Sequence, residues 1–385
     1  MPVAPGTATG RPGALPGAAR LAAVRAGMAA RGLDALLVTY PPNVRYLSGH
    51  AGTAGALIVG HDTVALLVDA RYREAARLLV DGGHAPAGLR IVDVPGSYDG
   101  AVLAQCLEAR YHHVGIEAEH LPVSRFQWFE RTGASSPVPP GWVAVTGLVE
   151  AVRVVKDLAE QAALRRAARG LTAVAAAAFR SARAGVRERD VAGAIEAALR
   201  ATGFEKPAFD TIVASGPNSA LPHYRAGDRI LADGDLVVLD FGGVMDGYCS
   251  DITRTVAIGP PGTEARRVYG AVLRAQQAAI EAVAPGQTAE VVDAAARNVL
   301  IAEGLGDAFG HGTGHGLGLD VHEAPRVGKP QPGVDPVLLA AGMVLTVEPG
   351  AYLPGWGGVR IEDDILVTAD GHEVLTDVSR ELVVL

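Results

Sequence analysis

LVVLDFGGVMDGYCSDITRTVAI, residues 236–258, decides the fold of the second half of this chain. The apolar run Leu236–Leu239 reads as a buried strand closed by Asp240, and a second strand, Thr253–Ile258, starts just after Asp251. Between them Gly242–Gly247 reads as a turn. Two strands joined this way bring Asp240 and Asp251 to neighbouring positions. Adjacent buried carboxylates repel, so one must hold a proton unless cations neutralise them. Taken alone, a strand-end and turn feature is the plainer reading of the pair, and half of a metal site the sharper one.

Outward from this hairpin, elements of one kind come in groups. A strand over Thr211–Ala214 precedes it, helices over Glu264–Val283 and Ala289–Glu303 follow, and strands Met343–Glu348, Val359–Glu362 and Ile365–Thr368 close the chain. Two Ala-rich helices, Leu158–Ala184 and Val191–Ala201, lead in. Such grouping predicts an α+β domain over residues 151–385. Residues 17–150 alternate instead. Helices over Arg20–Arg31, Arg71–Val80, Ala101–Ala109 and Ser124–Arg131 interleave with strands over Ala35–Thr39, Gly55–Val59, Val64–Val68, Arg90–Val94 and Val114–Glu117, the pattern of an α/β domain. Gly133–Gly141, with three prolines and two glycines, is a linker or a crossing loop. Residues 1–16, rich in Pro, Gly, Ala and Thr and lacking an apolar centre, read as a disordered leader.

Composition excludes several classes. At 385 residues the chain holds two or three domains, and 49% hydrophobic with 20% charged residues is a globular balance. The positive mean hydropathy, +0.21, comes from alanine, and no uninterrupted apolar stretch is long enough to span a bilayer. Net charge is −8, aromatics are 5%, and Lys and Arg form no stripe, which argues against a nucleic-acid surface. The Arg-rich stretch Arg180–Arg189 is a solvated helix end and turn. Two distant cysteines, Cys106 and Cys249, imply free thiols in a reducing compartment, hence the cytoplasm.

Gly310–Gly318 (GHGTGHGLG) is the least ordinary segment. It lacks the spacing of a phosphate-binding glycine loop, and its glycines make a poor helix for a zinc pair of histidines. His311 and His315 are therefore candidates for a ligand or catalytic role. Glu348 ends a strand before Pro349-Gly350, and Glu362 follows Gly358-Val359-Arg360-Ile361. Each acid alone reads as a solvated strand end, and His223 and His322 as loop histidines. Jointly, four carboxylates and one imidazole in one domain form an oxygen-rich set suited to two divalent ions of the Mn2+ or Co2+ type.

The order of these motifs resembles the creatinase/prolidase/methionine-aminopeptidase superfamily, the pita-bread metallopeptidases of family M24, and most closely its Xaa-Pro dipeptidase and aminopeptidase P members. The resemblance lies in Ala214-Ser215-Gly216-Pro217-Asn218-Ser219 with Pro222-His223, Leu239-Asp240-Phe241-Gly242-Gly243, and Ser250-Asp251-Ile252-Thr253-Arg254-Thr255. It continues through His311-Gly312-Thr313-Gly314-His315-Gly316, Val321-His322-Glu323, Glu348-Pro349-Gly350 and Gly358-Val359-Arg360-Ile361-Glu362. Pro42-Asn43-Val44-Arg45-Tyr46-Leu47-Ser48-Gly49 is a looser likeness to the family's extra domain.

The resemblance implies a creatinase/prolidase-type α/β N-terminal domain followed by an α+β pita-bread catalytic domain. It implies two divalent metals, Mn2+ first, with Co2+ or Zn2+ as alternatives. Asp240 would bind one and His315 with Glu348 the other, while Asp251 and Glu362 bridge them. A hydroxide between the metals would attack the bond preceding proline, with Glu348 relaying the proton. His223 and His322 would contact the substrate carbonyl, His311 would line the pocket, and Arg360 would pair with a substrate carboxylate. A small proline-containing peptide is the implied substrate, with a homodimer or higher homo-oligomer as the assembly and no membrane or nucleic-acid partner. The same fold also carries metal-free creatinase-type hydrolysis, small-molecule lyases and non-catalytic binding proteins. A methionine aminopeptidase normally lacks the N-terminal domain.

Overall fold

A computed structural model describes residues 17–385, so the leader expected over residues 1–16 lies outside the described residues. The chain divides into two compact units, Met1–Val152 and Arg153–Leu385. The first runs α1 (Gly17–Ala29), β1 (Ala35–Val38), α2 (Pro41–Ser48), β2 (Ala56–Gly60), β3 (Val64–Val68), α3 (Arg73–Asp81), β4 (Leu89–Asp93), α4 (Tyr98–Glu108), β5 (His113–Glu117), α5 (Val123–Gly133) and β6 (Gly141–Val145). Its strands form one mixed sheet in the order β4-β3-β2-β1-β5-β6. The central β1, β2 and β3 are buried along their whole length, as their unbroken apolar sequences require. Gly133–Gly141 is a crossing loop: it carries α5 back to β6, which pairs in parallel with β5 in the same sheet.

The short α6 (Glu150–Arg153) precedes α7 (Leu158–Ser181) and α8 (Glu188–Thr202). Asp157 caps α7 by accepting from the Ala159 and Glu160 amides, while the Glu160 carboxylate accepts from the Asp157 amide. That capping box is worth about 1 kcal/mol. Then come β7 (Lys206–Pro207), β8 (Ile212–Ser215), β9 (Leu236–Met245) and β10 (Tyr248–Ala257), followed by α9 (Thr263–Ala282) and α10 (Ala289–Ala302). β11 (Gly314–Gly316), β12 (Glu323–Val327), β13 (Val344–Val347), β14 (Gly350–Leu353), β15 (Gly357–Arg360), β16 (Asp363–Val367) and β17 (His372–Val374) complete the unit.

The second unit repeats one plan twice: a helix pair, then the strands it covers. Leu171, Val174, Val191 and Ile195 of α7 and α8 pack on Val237, Leu239 and Phe241 of β9. Val268, Val272, Val292 and Ala296 of α9 and α10 pack with Leu345, Val347 and Ile365 of β13 and β16. Fully burying each such aliphatic side chain contributes about 1.5–3 kcal/mol, which holds the strand ends that carry the acids. One sheet runs β10-β9-β7 with β8 also on β9, a second runs β12-β11-β13-β16-β17, and β14 pairs with β15.

The turn expected over Gly242–Gly247 is shorter than the sequence predicts. β9 continues through Gly242 and Gly243 because β7 pairs there, Lys206 with Val244 and Pro207 with Gly243. Only Asp246 (φ 51°) and Gly247 (φ 81°) turn the chain. Two central residues at positive φ define the type I′ turn that suits a tight hairpin, and Asp-Gly is its favoured dipeptide.

Candidate metal centre

The hairpin register places the first acids. Asp240 lies opposite Thr253 and Asp251 opposite Gly242, so Asp240 and Asp251 are diagonal neighbours on one face of β9–β10. The second pair arises the same way. Val347 of β13 lies opposite Asp363 of β16, and Glu348 and Glu362 stand one residue beyond that rung on their strands. The two strand pairs are tied together where Glu362 donates its amide to the Thr253 carbonyl at 3.1 Å and the Thr253 hydroxyl donates to Glu362 Oε2 at 2.5 Å. Asp364 Oδ2 accepts from the Ser250 hydroxyl at 2.6 Å and the Asp251 amide at 3.1 Å.

β11 carries His315 between two neighbours, β12 and β13. A side chain at Gly314 would run into the Thr346 carbonyl and one at Gly316 into the Ala324 carbonyl, so the flanking glycines are steric requirements of the three-strand contact. His315 Nδ1 lies 3.0 Å from the Gly316 carbonyl, which fixes the tautomer with hydrogen on Nδ1 and leaves the Nε2 lone pair free. Nε2 stands 3.5 Å from Glu348 Oε1.

Asp251, His315 and Glu362 each offer a ligand atom within 4.8 Å of the others. Asp240 Oδ1, Asp251 Oδ1 and Glu362 Oε1 are buried and have no hydrogen-bond partner among the described residues. Buried acceptors are rarely left unpaired, and several on one cluster call for a cation. The acids respond to that crowding. Burial, then the neighbouring carboxylates, lifts Asp251 and Glu362 well above the usual carboxylate range. Burial lifts Glu348 to about 8 and Asp364 to about 7. Burial also holds His311 and His315 down at about 4, so both rings are neutral at pH 7, the form that binds metal. These residues fit a pair of divalent ions: unsatisfied oxygens, one free imidazole nitrogen, no thiolate.

A cavity of about 530 Å³ is lined by every residue the sequence singles out: His223, Asp240, Asp251, His311, His315, His322, Glu348, Arg360 and Glu362. His223 and His322 are exposed at its mouth, and the His322 ring stands edge-on to His315 with centroids 4.3 Å apart.

Arg360 departs from its expected role. Its guanidinium donates to Asp240 Oδ2 at 2.6 Å, to the Tyr352 hydroxyl at 2.8 Å, to the Pro222 carbonyl at 3.3 Å and to the Thr253 hydroxyl at 3.1 Å. With the side chain 4% exposed and every nitrogen engaged, the guanidinium is committed to protein partners and holds Asp240 Oδ2. The Tyr352 hydroxyl also meets His311 Nε2 at 2.9 Å, and His311 Nδ1 meets the Gly312 carbonyl at 2.7 Å. The sequence reading missed Tyr352, which has no local signal beyond following Glu348-Pro349-Gly350. It missed Arg326 as well, an exposed arginine on the cavity wall four residues after His322.

Comparison with known proteins places this geometry. Residues 162–369 match metallopeptidase family M24, and residues 20–155 match the creatinase/prolidase N-terminal domain. An Xaa-Pro dipeptidase of Pyrococcus horikoshii is 34% identical over 91% of this chain and 95% of its own. The solved Xaa-Pro dipeptidase from Bacillus anthracis superposes with a TM-score of 0.89 at 36% identity, covering 96% of this chain and all (100%) of that one. An X-Pro aminopeptidase from Thermotoga maritima gives 0.84 at 32% identity, covering 94% and 100%. With its catalytic segment and its N-terminal domain both matched, the chain belongs to metallopeptidase family M24 and is a peptidase of the pita-bread fold.

Proposed function

We propose that this peptidase hydrolyses the bond preceding proline in short peptides, using two divalent ions held by Asp240, Asp251, His315, Glu348 and Glu362, with Mn2+ the first choice. The observation that carries the metal reading is the set of unpartnered buried oxygens on Asp240, Asp251 and Glu362 beside the free Nε2 of His315. Asp251, diagonal to Asp240, and Glu362, across the strand pair from Glu348, would be the two acids that both ions share. Such ions supply Lewis acidity, which activates water at neutral pH and polarises the scissile carbonyl. The Glu348 carboxylate, which the cations beside it would keep ionised, takes the proton released by the attacking water and passes it to the prolyl nitrogen as that nitrogen leaves. His322 and His223 hold the substrate carbonyl from the cavity mouth, and His311, locked by Tyr352, forms the wall. The prolyl preference rests on relatives named for Xaa-Pro substrates; a nitrogen without N–H and a rigid ring suit a fixed pocket.

With Arg360 engaged, Arg326 is a cation on the cavity wall open to a dipeptide's carboxylate, its one hydrogen bond among the described residues going to the Lys329 carbonyl at 3.0 Å, whereas Arg225 on the same wall is paired with Asp210. Arg326→Gln should raise KM for an Xaa-Pro dipeptide about tenfold, the worth of one charged hydrogen bond, while Xaa-Pro-Yaa tripeptides change little. Equal losses on both would remove Arg326 from carboxylate recognition. His322→Ala should lower kcat with metal content unchanged by elemental analysis; metal loss would make it a ligand.

The deciding assay is incubation with Mn2+ and mass spectrometry of Xaa-Pro, Xaa-Pro-Yaa and Xaa-Ala peptides. Cleavage of the dipeptide alone gives a prolidase, and release of the first residue from the tripeptide gives an aminopeptidase P. Cleavage of Xaa-Ala as fast as Xaa-Pro overturns the proline reading. Fewer than about one metal per chain after Mn2+ reconstitution overturns the dinuclear one. Cytoplasmic residence, which agrees with two buried free thiols, and homo-oligomer formation, read by sedimentation, belong to the same proposal.

A further inference from the structure

The segment Gly310–Gly318 carries two functional histidines on a backbone that glycine leaves loose. Something outside the segment must hold it. Asp293 and Arg297, one turn apart on α10, supply the holding groups. Asp293, 2% exposed, accepts at Oδ1 from the Thr313 amide at 3.1 Å and the Thr313 hydroxyl at 2.9 Å. Arg297 grips the same carboxylate with two nitrogens, at 2.9 and 2.8 Å. Its guanidinium also donates to the Phe309 carbonyl at 3.0 Å and the His311 carbonyl at 2.9 Å, and lies 4.3 Å over the Phe309 ring. Residues 309, 311 and 313 are thereby pinned to one helix.

Thr313 passes the constraint on in two directions. Its carbonyl accepts the Glu348 amide at 2.7 Å, and two residues later the His315 amide donates to the Thr346 hydroxyl at 3.1 Å. The Asp293–Arg297 pair on α10, together with the pairing of β11 and β13, thus sets the relative placement of His315 and Glu348, whose facing atoms are 3.5 Å apart. Asp240 and Asp251 are held by other means: the β9–β10 register, Arg360 and Asp364. Neither Asp293 nor Arg297 lines the cavity. From this asymmetry we infer that Asp293 and Arg297 are positioning residues for one half of the centre, fixing the His315–Glu348 side and, through it, the affinity of one of two metal sites. The inference rests on the metal reading above.

The test is Mn2+ titration calorimetry on the full chain, wild type first, then Arg297→Lys and Thr313→Val. Arg297→Lys keeps the charge and loses the planar fork. One site should weaken about 10–100-fold while the other stays within about threefold, and kcat, lowered at limiting Mn2+, should recover at saturation. Thr313→Val removes only the hydroxyl to Asp293 and should weaken the same site about fivefold. It decides the matter if Arg297→Lys does not fold. A lowered Tm with both affinities unchanged would mean a structural role alone and overturn the inference, as would equal weakening of both sites. A wild type that takes up no Mn2+ would overturn the metal reading itself, a failure visible before any variant is titrated.

Discussion

Glu362→Ala and Asp251→Ala are each expected to cut Xaa-Pro cleavage below about a tenth of the wild-type rate even in excess Mn2+, because each removes an oxygen donor that the proposed ions share. The loss has two parts. Each residue is buried, Glu362 2% and Asp251 4% exposed, so alanine leaves an opening inside the cluster and not at the surface. Each residue is also tied to the opposite strand pair: the Glu362 carboxylate accepts from the Thr253 hydroxyl, and the Asp251 backbone amide donates a hydrogen bond to Asp364 Oδ2. Alanine therefore removes a ligand and leaves the cavity shape standing. Elemental analysis should find fewer metals per chain than in wild type. Retention of more than about a tenth of the activity by either variant would take that residue out of the ligand set.

The second large effect is on stability. Asp251, Glu348, Glu362 and Asp364 all have folded-state values above the unfolded range, Glu348 at about 8 and Asp364 at about 7. In chelator-treated protein these acids bind more protons folded than unfolded. Their contribution is complete below about pH 4 and is lost as pH rises through the folded values. His311 and His315, lowered by burial to about 4, act the other way: folded they bind fewer protons, so they favour stability as pH rises from about 4 to about 6.5, and burial lowers His322 in the same direction. Below pH 6.5 the two sets oppose each other, and above it the acids act alone. Metal-stripped protein should therefore lose Tm between about pH 6.5 and 8.5, by on the order of 10 °C for a few kcal/mol in a domain of this size. Mn2+-loaded protein should not, because cations take the place of the protons, and a ligand at a thousand times its Kd adds about 4 kcal/mol. A flat or rising Tm in the stripped protein across that window would show that the acids are not crowded as described.

Much of this was legible because it is local. Leu236–Asp240 and Met343–Glu348 are apolar runs ending in an acid, and the glycines around His315 admit no ordinary element. What escaped the sequence depends on partners far along the chain. Arg360 looks free beside Glu362, yet its four partners come from residues 222, 240, 253 and 352. Gly242–Gly243 looks like a turn until β7 pairs with it. α2 begins with Pro41-Pro42, which reads as a breaker, although proline in a first helical turn costs no hydrogen bond. β12 contains Pro325, which demotes it in any local reading and is tolerated on the edge of its sheet.

The Asp246-Gly247 turn has a consequence for how this site can be lost in evolution. Side chains alternate faces along a strand, so the diagonal of Asp240 and Asp251 is a matter of parity. One residue inserted or deleted in β10 between the turn and Asp251 would send that carboxylate to the opposite face, with every ligand still present in the sequence. Lineages can lose this centre by a change of length that a search for missing ligands would pass over, and the two-residue turn is where selection must count.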